Sequence, residues 1–320
     1  MCFSAAPMVS VLMPVYNAER YVAEAVESIL AQTLVEFEFL IVDDGSTDRS
    51  GAILASYAAR EPRIQLTRRP NSGYLAALNE GLAQARGEFV ARMDADDIAL
   101  PERFQRQVAY LRAHPECLAL GCALVNIDED GDVLCEERLP LDHDEIDRRL
   151  LLGLAGLSHP AAIIRRAALI ELGGYRPRFY GVEDKDLWLR LAERGKLANL
   201  PDVLMKYRVH ADNFTFRNYE RSVAALRAAL FEAYERRGLA CPADVLAHVP
   251  KATSGLERRR ASAWSAVHCG QFATARKHAL AILRLQPRVR ASWVLLAFAW
   301  LGPWAGTLRR LYHRLVGTSE

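Results

Sequence analysis

The chain has 320 residues, enough for one large domain or two ordinary ones, and at 51% hydrophobic and 25% charged it reads as packed globular protein. The formal net charge of +2 conceals an asymmetry: residues 1–216 hold 24 Lys and Arg against 33 Asp and Glu, whereas residues 217–320 hold 17 against 6. Six cysteines (Cys2, Cys117, Cys122, Cys135, Cys241, Cys269) form no C-x-x-C pair, which argues against a zinc site or a disulfide framework and predicts scattered thiols in a reducing compartment.

The N-terminal stretch MCFSAAPMVSVLMPVYN has no basic segment before its apolar residues, so Ser10–Tyr16 is expected to be a buried strand rather than a secretory leader. Ala18–Gln32 follows with Tyr21, Val22, Ala25, Val26, Ile29 and Leu30 at helical spacing. Phe37–Val42 is a second strand, ending at Asp43–Asp44–Gly45–Ser46. Ser46 or Thr47 is a candidate cap for a helix that buries Ile53, Leu54 and Tyr57. Ile64–Thr67 is a third strand, Tyr74–Ala85 a third helix and Glu88–Met93 a fourth strand. Then come a helix at Glu102–Arg112, a strand at Leu118–Ile127, a turn at Asp128–Asp132 and a strand at His159–Arg166. Gly181–Gly195 enters a helix with Leu187, Trp188, Leu191 and Ala192 inward, and Val203–Val209 is a last strand leading to His210.

Repeated strand–helix units predict an α/β fold with a mostly parallel central sheet. Ligands of such sheets bind beyond the carboxyl ends of the strands, where three polar clusters fall here: Asn17–Glu19, Asp43–Asp44 and Asp94–Asp97. The last cluster, in ARMDADDIALP, crowds three aspartates, which repel one another unless something positive compensates. Hard divalent cations take oxygen ligands and bridge carboxylates to substrate phosphates. Neither G-x-x-x-x-G-K-[ST] nor a strand-linked G-x-G-x-x-G is present, so neither phosphate-loop mechanism applies. A plain helix N-terminal acidic cluster before Pro101 is the other account of these aspartates.

Strand signals stop near residue 216. Tyr219–Arg237 and Glu257–Leu285 are helical, and Ala263, Gly270, Ala275 and Pro287 follow the small-residue pattern of a tetratricopeptide helix pair, or of an ordinary helical hairpin. The end is apolar and aromatic over Trp293–Trp304, then basic at Arg309, Arg310, His313 and Arg314. This run is shorter than the roughly 20 apolar residues a bilayer span needs. Residues 291–314 are therefore expected either to touch a membrane interface or to close the helical bundle. The basic residues lie on helices without an interleaved aromatic sheet, which argues against a nucleic-acid partner.

Four stretches in order, VSVLMPVYNAERYVAEAVESILAQT, FLIVDDGSTDRS, NSGYLAALNEGLAQARGEFVARMDADDIALPERF and GVEDKDLWLRLAERG, together resemble the family 2 glycosyltransferases over residues 8 to about 212. The resemblance implies a GT-A fold, Rossmann-like, in residues 8–215, with residues 216–320 a helical addition. It implies an inverting hexosyl transfer from a nucleotide diphosphate sugar, UDP-linked, to a glycan or lipid-linked acceptor. It further implies Mn²⁺ or Mg²⁺ as cofactor and a cytoplasmic location, peripheral on the membrane face. Residue by residue, it implies that Pro14, Tyr16, Glu19, Asp44, Asn71, Gly73 and Asn79 hold the donor. Asp94 meets the sugar or ribose and, with Asp96 and His210, the metal. Glu183 and Asp184 form the catalytic acid pair, Asp184 being the expected general base. One departure is visible: many relatives have Arg before the Asn of the third stretch, and here that position is Leu78, which leaves Arg92 as the candidate donor cation. His159 is expected to close a turn before Pro160, and Trp188 to lie in the core. The alternative to an enzyme is a catalytically silent GT-A-like binding protein acting through its helical region.

Overall fold

The computed structural model describes residues 6–210, 219–243, 245 and 254–304. The chain forms two compact units: Met1–Leu124 with Arg138–Tyr207 and Arg217–Pro250, and Val125–Glu137 with Arg208–Phe216 and Lys251–Glu320.

The first unit is built on β1 (Val9–Val15), β2 (Phe37–Asp43), β3 (Ile64–Arg68) and β4 (Phe89–Arg92), which pair in parallel in the order β3-β2-β1-β4. Beyond β4 the sheet continues through β8 (Ile163–Arg165), β6 (Cys117–Ile127), β9 (Lys196–Arg208) and the short β5 (Ile98–Ala99), and the β4–β8, β6–β8 and β5–β9 pairs are antiparallel. Strand alternation sorts the side chains. Val9, Val11, Met13 and Val15 of β1 enter one core with Phe37, Phe39 and Ile41 of β2, while Leu12 and Leu40 enter the other. On that second face Ser10 Oγ donates to Glu38 Oε1 at 2.7 Å, which places a satisfied polar pair inside the sheet layer.

Helices α1 (Val22–Leu30), α2 (Ser50–Ala58) and α4 (Arg103–Ala113) cover the first face. The other face is covered by α3 (Tyr74–Gln84), α5 (His143–Leu151), α6 (Arg166–Glu171), α7 (Glu183–Ala192) and α8 (Tyr219–Arg236). Each of α1 and α7 buries the apolar stripe its spacing predicts: Val22, Ala25, Val26 and Ile29 in one, Leu187, Trp188 and Leu191 in the other. Trp188 is fully buried, so it is core and not a sugar platform.

Several sequence expectations are corrected. The second helix starts at Ser50, not after Ser46 or Thr47, because Asn17 engages both: its N–H donates to Ser46 Oγ at 3.0 Å and its Oδ1 accepts from the Thr47 N–H at 2.8 Å. His159–Arg166 is a 3-10 turn (His159–Ala161) followed by the short β8, since the Ala161 and Ala162 carbonyls are claimed by Gln107 and Arg103. The last strand, β9, begins at Lys196 rather than near Val203. No sequence signal anticipated β5, α5 or α6.

The second unit holds β7 (Val133–Glu137), which pairs with β6, and the helices α9 (Gly255–His268), α10 (Phe272–Leu285) and α11 (Arg290–Leu301). The helical stretch forms the expected pair of helices, and Gly270 turns the chain between them at φ +76°. Small side chains fill the core between them: Ala263, Ala266, Ala275, Ala279 and Ala299 are buried with Ile282 and Leu295. A further correction concerns the cysteines. Cys135 of β7 and Cys269 at the end of α9 are joined as a disulfide, Cα to Cα 5.4 Å, whereas Cys117, Cys122 and Cys241 are free. Spacing hid the pair, for 134 residues separate its members. Among the described residues no helix is long and apolar enough to cross a membrane. Arg309, Arg310, His313 and Arg314 lie outside them.

Candidate active site

The order β3-β2-β1-β4 reverses direction at β1, so a crevice opens beyond the carboxyl ends of β1 and β4, the usual ligand position in such sheets. At the end of β1, Pro14 is half-buried, Tyr16 is 53% exposed and Asn17 takes φ +50°. Glu19 knits the neighbouring turn: its N–H donates to Asp48 Oδ2 at 3.0 Å and its Oε2 accepts from the Arg49 N–H at 2.9 Å.

Asp44, at the end of β2, is buried and builds a shelf. Its Oδ1 accepts from the Ser72 N–H at 3.0 Å, its Oδ2 from the Gly73 N–H at 2.8 Å, and Arg69 Nε lies 3.0 Å from Oδ1. Hydrogen bonds to an ionised group contribute about 1.5–3 kcal/mol each, enough to hold the Asn71–Gly73 loop in one place. Gly45 has φ +78°, and a Cβ there would lie 2.6 Å from the Asn71 nitrogen, so the D-D-G turn and this loop fit only with glycine. Asn71 is exposed, and Gly73 begins α3 at φ +94°. Asn79 turns away toward the scaffold: its amide donates to the Tyr175 carbonyl at 2.8 Å and accepts from the Tyr175 N–H at 3.0 Å. Leu78 is buried in the core beside it.

Asp94, Asp96 and Asp97 follow β4 and offer carboxylate oxygens within 4.8 Å of one another. The compensating charge is Arg92, buried in the strand, whose guanidinium pairs with Asp94 Oδ1. Arg92 thus supplies the positive charge beside the aspartate cluster. Burial pushes the Asp94 carboxyl up, Arg92 pulls it back and Asp96 pushes it up again, so its pKa lies above the ordinary value. Behind them the fully buried Arg103 donates to the Arg92 carbonyl at 2.9 Å and the Ala162 carbonyl at 3.2 Å, fixing the strand end. Burial lowers its pKa to about 10, so it remains charged at neutral pH. An all-oxygen donor set of three carboxylates fits Mg²⁺ or Mn²⁺ and not a soft metal.

The acid pair opens α7. Glu183 is buried; its Oε2 accepts from the Tyr74 hydroxyl and from the Gly181 N–H at 3.0 Å, and its Oε1 lies 3.8 Å from His159 Nδ1. His159 Nε2 in turn lies 3.0 Å from the Tyr175 hydroxyl. Burial, then the neighbouring Asp184, raise the Glu183 pKa; burial raises that of Asp184, against the pull of Lys185. Burial and the charge of Arg92 keep His159 neutral. Asp184 is half-buried and close enough to Asp94 to raise its pKa. The two acids, adjacent in sequence, therefore differ in surroundings. His210 follows β9 in the second unit and is half-buried. Tyr74, Tyr175 and Arg103 escaped the sequence reading; the first stands next to the matched N-S-G, the only local hint.

The second unit carries another cluster of ligand type, Asp128, Glu129 and His278. There Lys277 Nζ lies 2.7 Å from carboxylate oxygens of Asp128, Asp130 and Asp132, and His278 Nε2 2.9 Å from Asp128, so an ammonium occupies the place a cation would take.

A parallel sheet with carboxylates at its switch point and an acid pair on a facing helix defines a glycosyltransferase of GT-A type. Solved structures agree on the fold: S. aureus TarS 1–349 in complex with UDP-GlcNAc aligns over 91% of this chain and 89% of its own with TM-score 0.55 at 18% identity. The mannosyltransferase PcManGT from Pyrobaculum calidifontis, in complex with GDP-Man and Mn²⁺, aligns over 98% and 86% with TM-score 0.54 at 20% identity. Residues 10–173 match the family model for Glycosyl transferase family 2, and the chain belongs to that family. Among curated relatives, the amylovoran biosynthesis glycosyltransferase AmsE of Erwinia amylovora is 37% identical over 226 residues, 68% of this chain and 84% of its own length. The glycosyltransferase EpsE of Bacillus subtilis is 37% identical over 222 residues, 68% and 78%.

Proposed function

We propose that this chain is an inverting, metal-dependent hexosyltransferase that moves a sugar from a nucleoside diphosphate, of the uridine type, to a glycan or lipid-linked acceptor in surface polysaccharide synthesis. One observation carries the reading: the Asp94–Asp96–Asp97 cluster and the Glu183–Asp184 pair converge beyond the carboxyl ends of the parallel strands, near enough for Asp184 to act electrostatically on Asp94. The biosynthetic role named for AmsE supports the polysaccharide pathway, and nucleotide sugars are the ligands named for two proteins of the same fold.

In this reading Pro14, exposed Tyr16 and Glu19 flank the nucleotide, and the Asp44-supported loop Asn71–Gly73 bounds it, with Asn79 steadying that wall through Tyr175. Asp94 and Asp96, with Asp97 beside them, hold the divalent ion. When bound, such an ion neutralises charge on the pyrophosphate. Asp184 takes the proton of an acceptor hydroxyl as its oxygen forms a bond to the anomeric carbon. The bond from that carbon to the β-phosphate oxygen breaks, and the electron pair leaves with the nucleoside diphosphate. A raised pKa suits Asp184 to this work, because a base is most effective when its affinity for the proton approaches the working pH. Buried, charge-perturbed acids are costly in a protein that only binds, which disfavours a silent relative acting through its helices. Peripheral membrane contact through residues 291–314 belongs to the same reading; exposed Trp293, Trp300 and Trp304 support it.

Turnover of radiolabelled nucleotide sugars with Mn²⁺ or Mg²⁺ tests it. We expect transfer with metal, none with chelator, and loss of metal-dependent donor binding in Asp96→Asn. Metal-independent turnover at the full rate removes the role assigned to the aspartates.

A further inference from the structure

The family resemblance makes both acids at the start of α7 a catalytic pair with Asp184 the expected base, and the fold gives the two different surroundings. Both Glu183 oxygens turn inward: Oε2 receives the Tyr74 hydroxyl and the Gly181 N–H, and Oε1 faces His159. Tyr74 reaches this position because it opens α3 directly after Gly73, which the Asp44 carboxylate anchors. Its ring packs on that of Tyr180, centroids 4.8 Å apart, and its hydroxyl also accepts from the Gly181 N–H at 3.0 Å. Tyr74 thus links the donor-side loop to the acid pair through covalent and hydrogen-bonded steps that are all short and mostly shielded from water.

We propose that Tyr74 is a positioning residue for the acid pair: its hydroxyl holds Glu183 turned into the protein and leaves Asp184 as the carboxylate presented to the acceptor. The inference rests on the transferase reading above. Two adjacent carboxylates at one helix start repel if both ionise, which disfavours two negative charges in the pair. Burial favours Glu183 as the member that keeps its proton, and the hydrogen bond from Tyr74 opposes this by favouring the ionised form. The groups facing Glu183 are Tyr74 from α3, Arg92 from β4, His159 from the 3-10 turn with Tyr175 behind it, Tyr180 from the loop before α7, and Asp184 on α7 itself. Of the tyrosines among these, Tyr74 is the one whose hydroxyl donates to Glu183, and that oxygen can be deleted without removing a charge.

The test is Tyr74→Phe in the full chain. Carbon-13 carboxyl NMR follows the Glu183 titration, assigned by its absence in Glu183→Gln. Loss of the donor should move that titration to higher pH and carry the alkaline limb of the kcat/KM profile with it. Because the pair is misaligned rather than emptied, kcat should fall about tenfold while the donor KM stays within about twofold. If Tyr74→Phe does not fold, 3-fluorotyrosine at position 74, a stronger donor, should move the titration the other way. A Glu183 titration unmoved in both variants overturns the proposal, as does a donor KM that rises as far as kcat falls. Wild-type protein that transfers no sugar sinks the transferase reading instead, and the NMR titration still decides the contact.

Discussion

Asp184 and Glu183 sit side by side, yet one is enclosed by a hydroxyl, an amide and an imidazole while the other is half-open. On the proposed transferase reading, these surroundings leave Asp184 as the base. In Asp184→Asn the shape survives and the proton acceptor does not, so transfer should fall by about 10²–10⁴-fold, the range general bases contribute. Donor affinity by calorimetry should hardly change, and an active Asn variant removes the assignment. The same scale explains Arg92. The sequence offered it to the donor as a substitute for the missing cation at Leu78. In the structure it pairs with Asp94, where an unpaired carboxylate against the buried end of β4 would be costly.

At the scale of elements, the turn between β6 and β7 depends on one carboxylate. Asp128 is wholly buried, and its oxygens accept from the Asp130 and Asp132 N–H groups, each at 3.0 Å, from Lys277 and from His278. Burial alone would raise its pKa; these bonds outweigh burial and hold it well below the ordinary carboxylate range. A depressed folded-state pKa stabilises the fold above the unfolded value of about 3.9 and loses that contribution as pH falls through the folded value. Denaturant melts of the wild type should therefore weaken progressively below about pH 4. Asp128→Asn should be less stable at pH 7 by about 1–3 kcal/mol, from the bonds and charge removed, and flatter in that acid window. Equal acid sensitivity in the two proteins would show that the turn does not depend on this charge. The α9–α10 pair was readable as a hairpin from Ala263, Gly270 and Ala275, because small residues at fixed offsets are a local pattern. The Cys135–Cys269 link was not, because it joins segments that only folding brings together.

For the whole molecule, the two halves of the sequence carry opposite net charge. Residues 217–320 carry 17 basic residues against 6 acidic, and α11 has no charged side chain after Arg290. Trp293 and Trp300 stand two helical turns apart and are 54% and 67% exposed, with Trp304 beyond them at 71%. Aromatic rings beside basic residues suit the headgroup layer of an anionic bilayer. Full-length protein should sediment with vesicles containing phosphatidylglycerol at low salt. Serine at the three tryptophan positions together should release it, while a wild type that stays in the supernatant defeats the contact.

The sequence by itself determined the class of fold and the family to which the chain belongs. Strand–helix periodicity is a local property, and motifs at strand ends carry their own geometry, so β1 to β4, the three acidic and polar clusters and the family resemblance could all be read in one dimension. Tertiary structure alone decided which carboxylate is shielded and which is open, which cation answers the aspartates, and that Lys277 rather than a metal sits among Asp128, Asp130 and Asp132. Those outcomes depend on burial and on contacts between residues far apart in the chain, such as Tyr74 with Glu183, and burial exists only once the layers have packed.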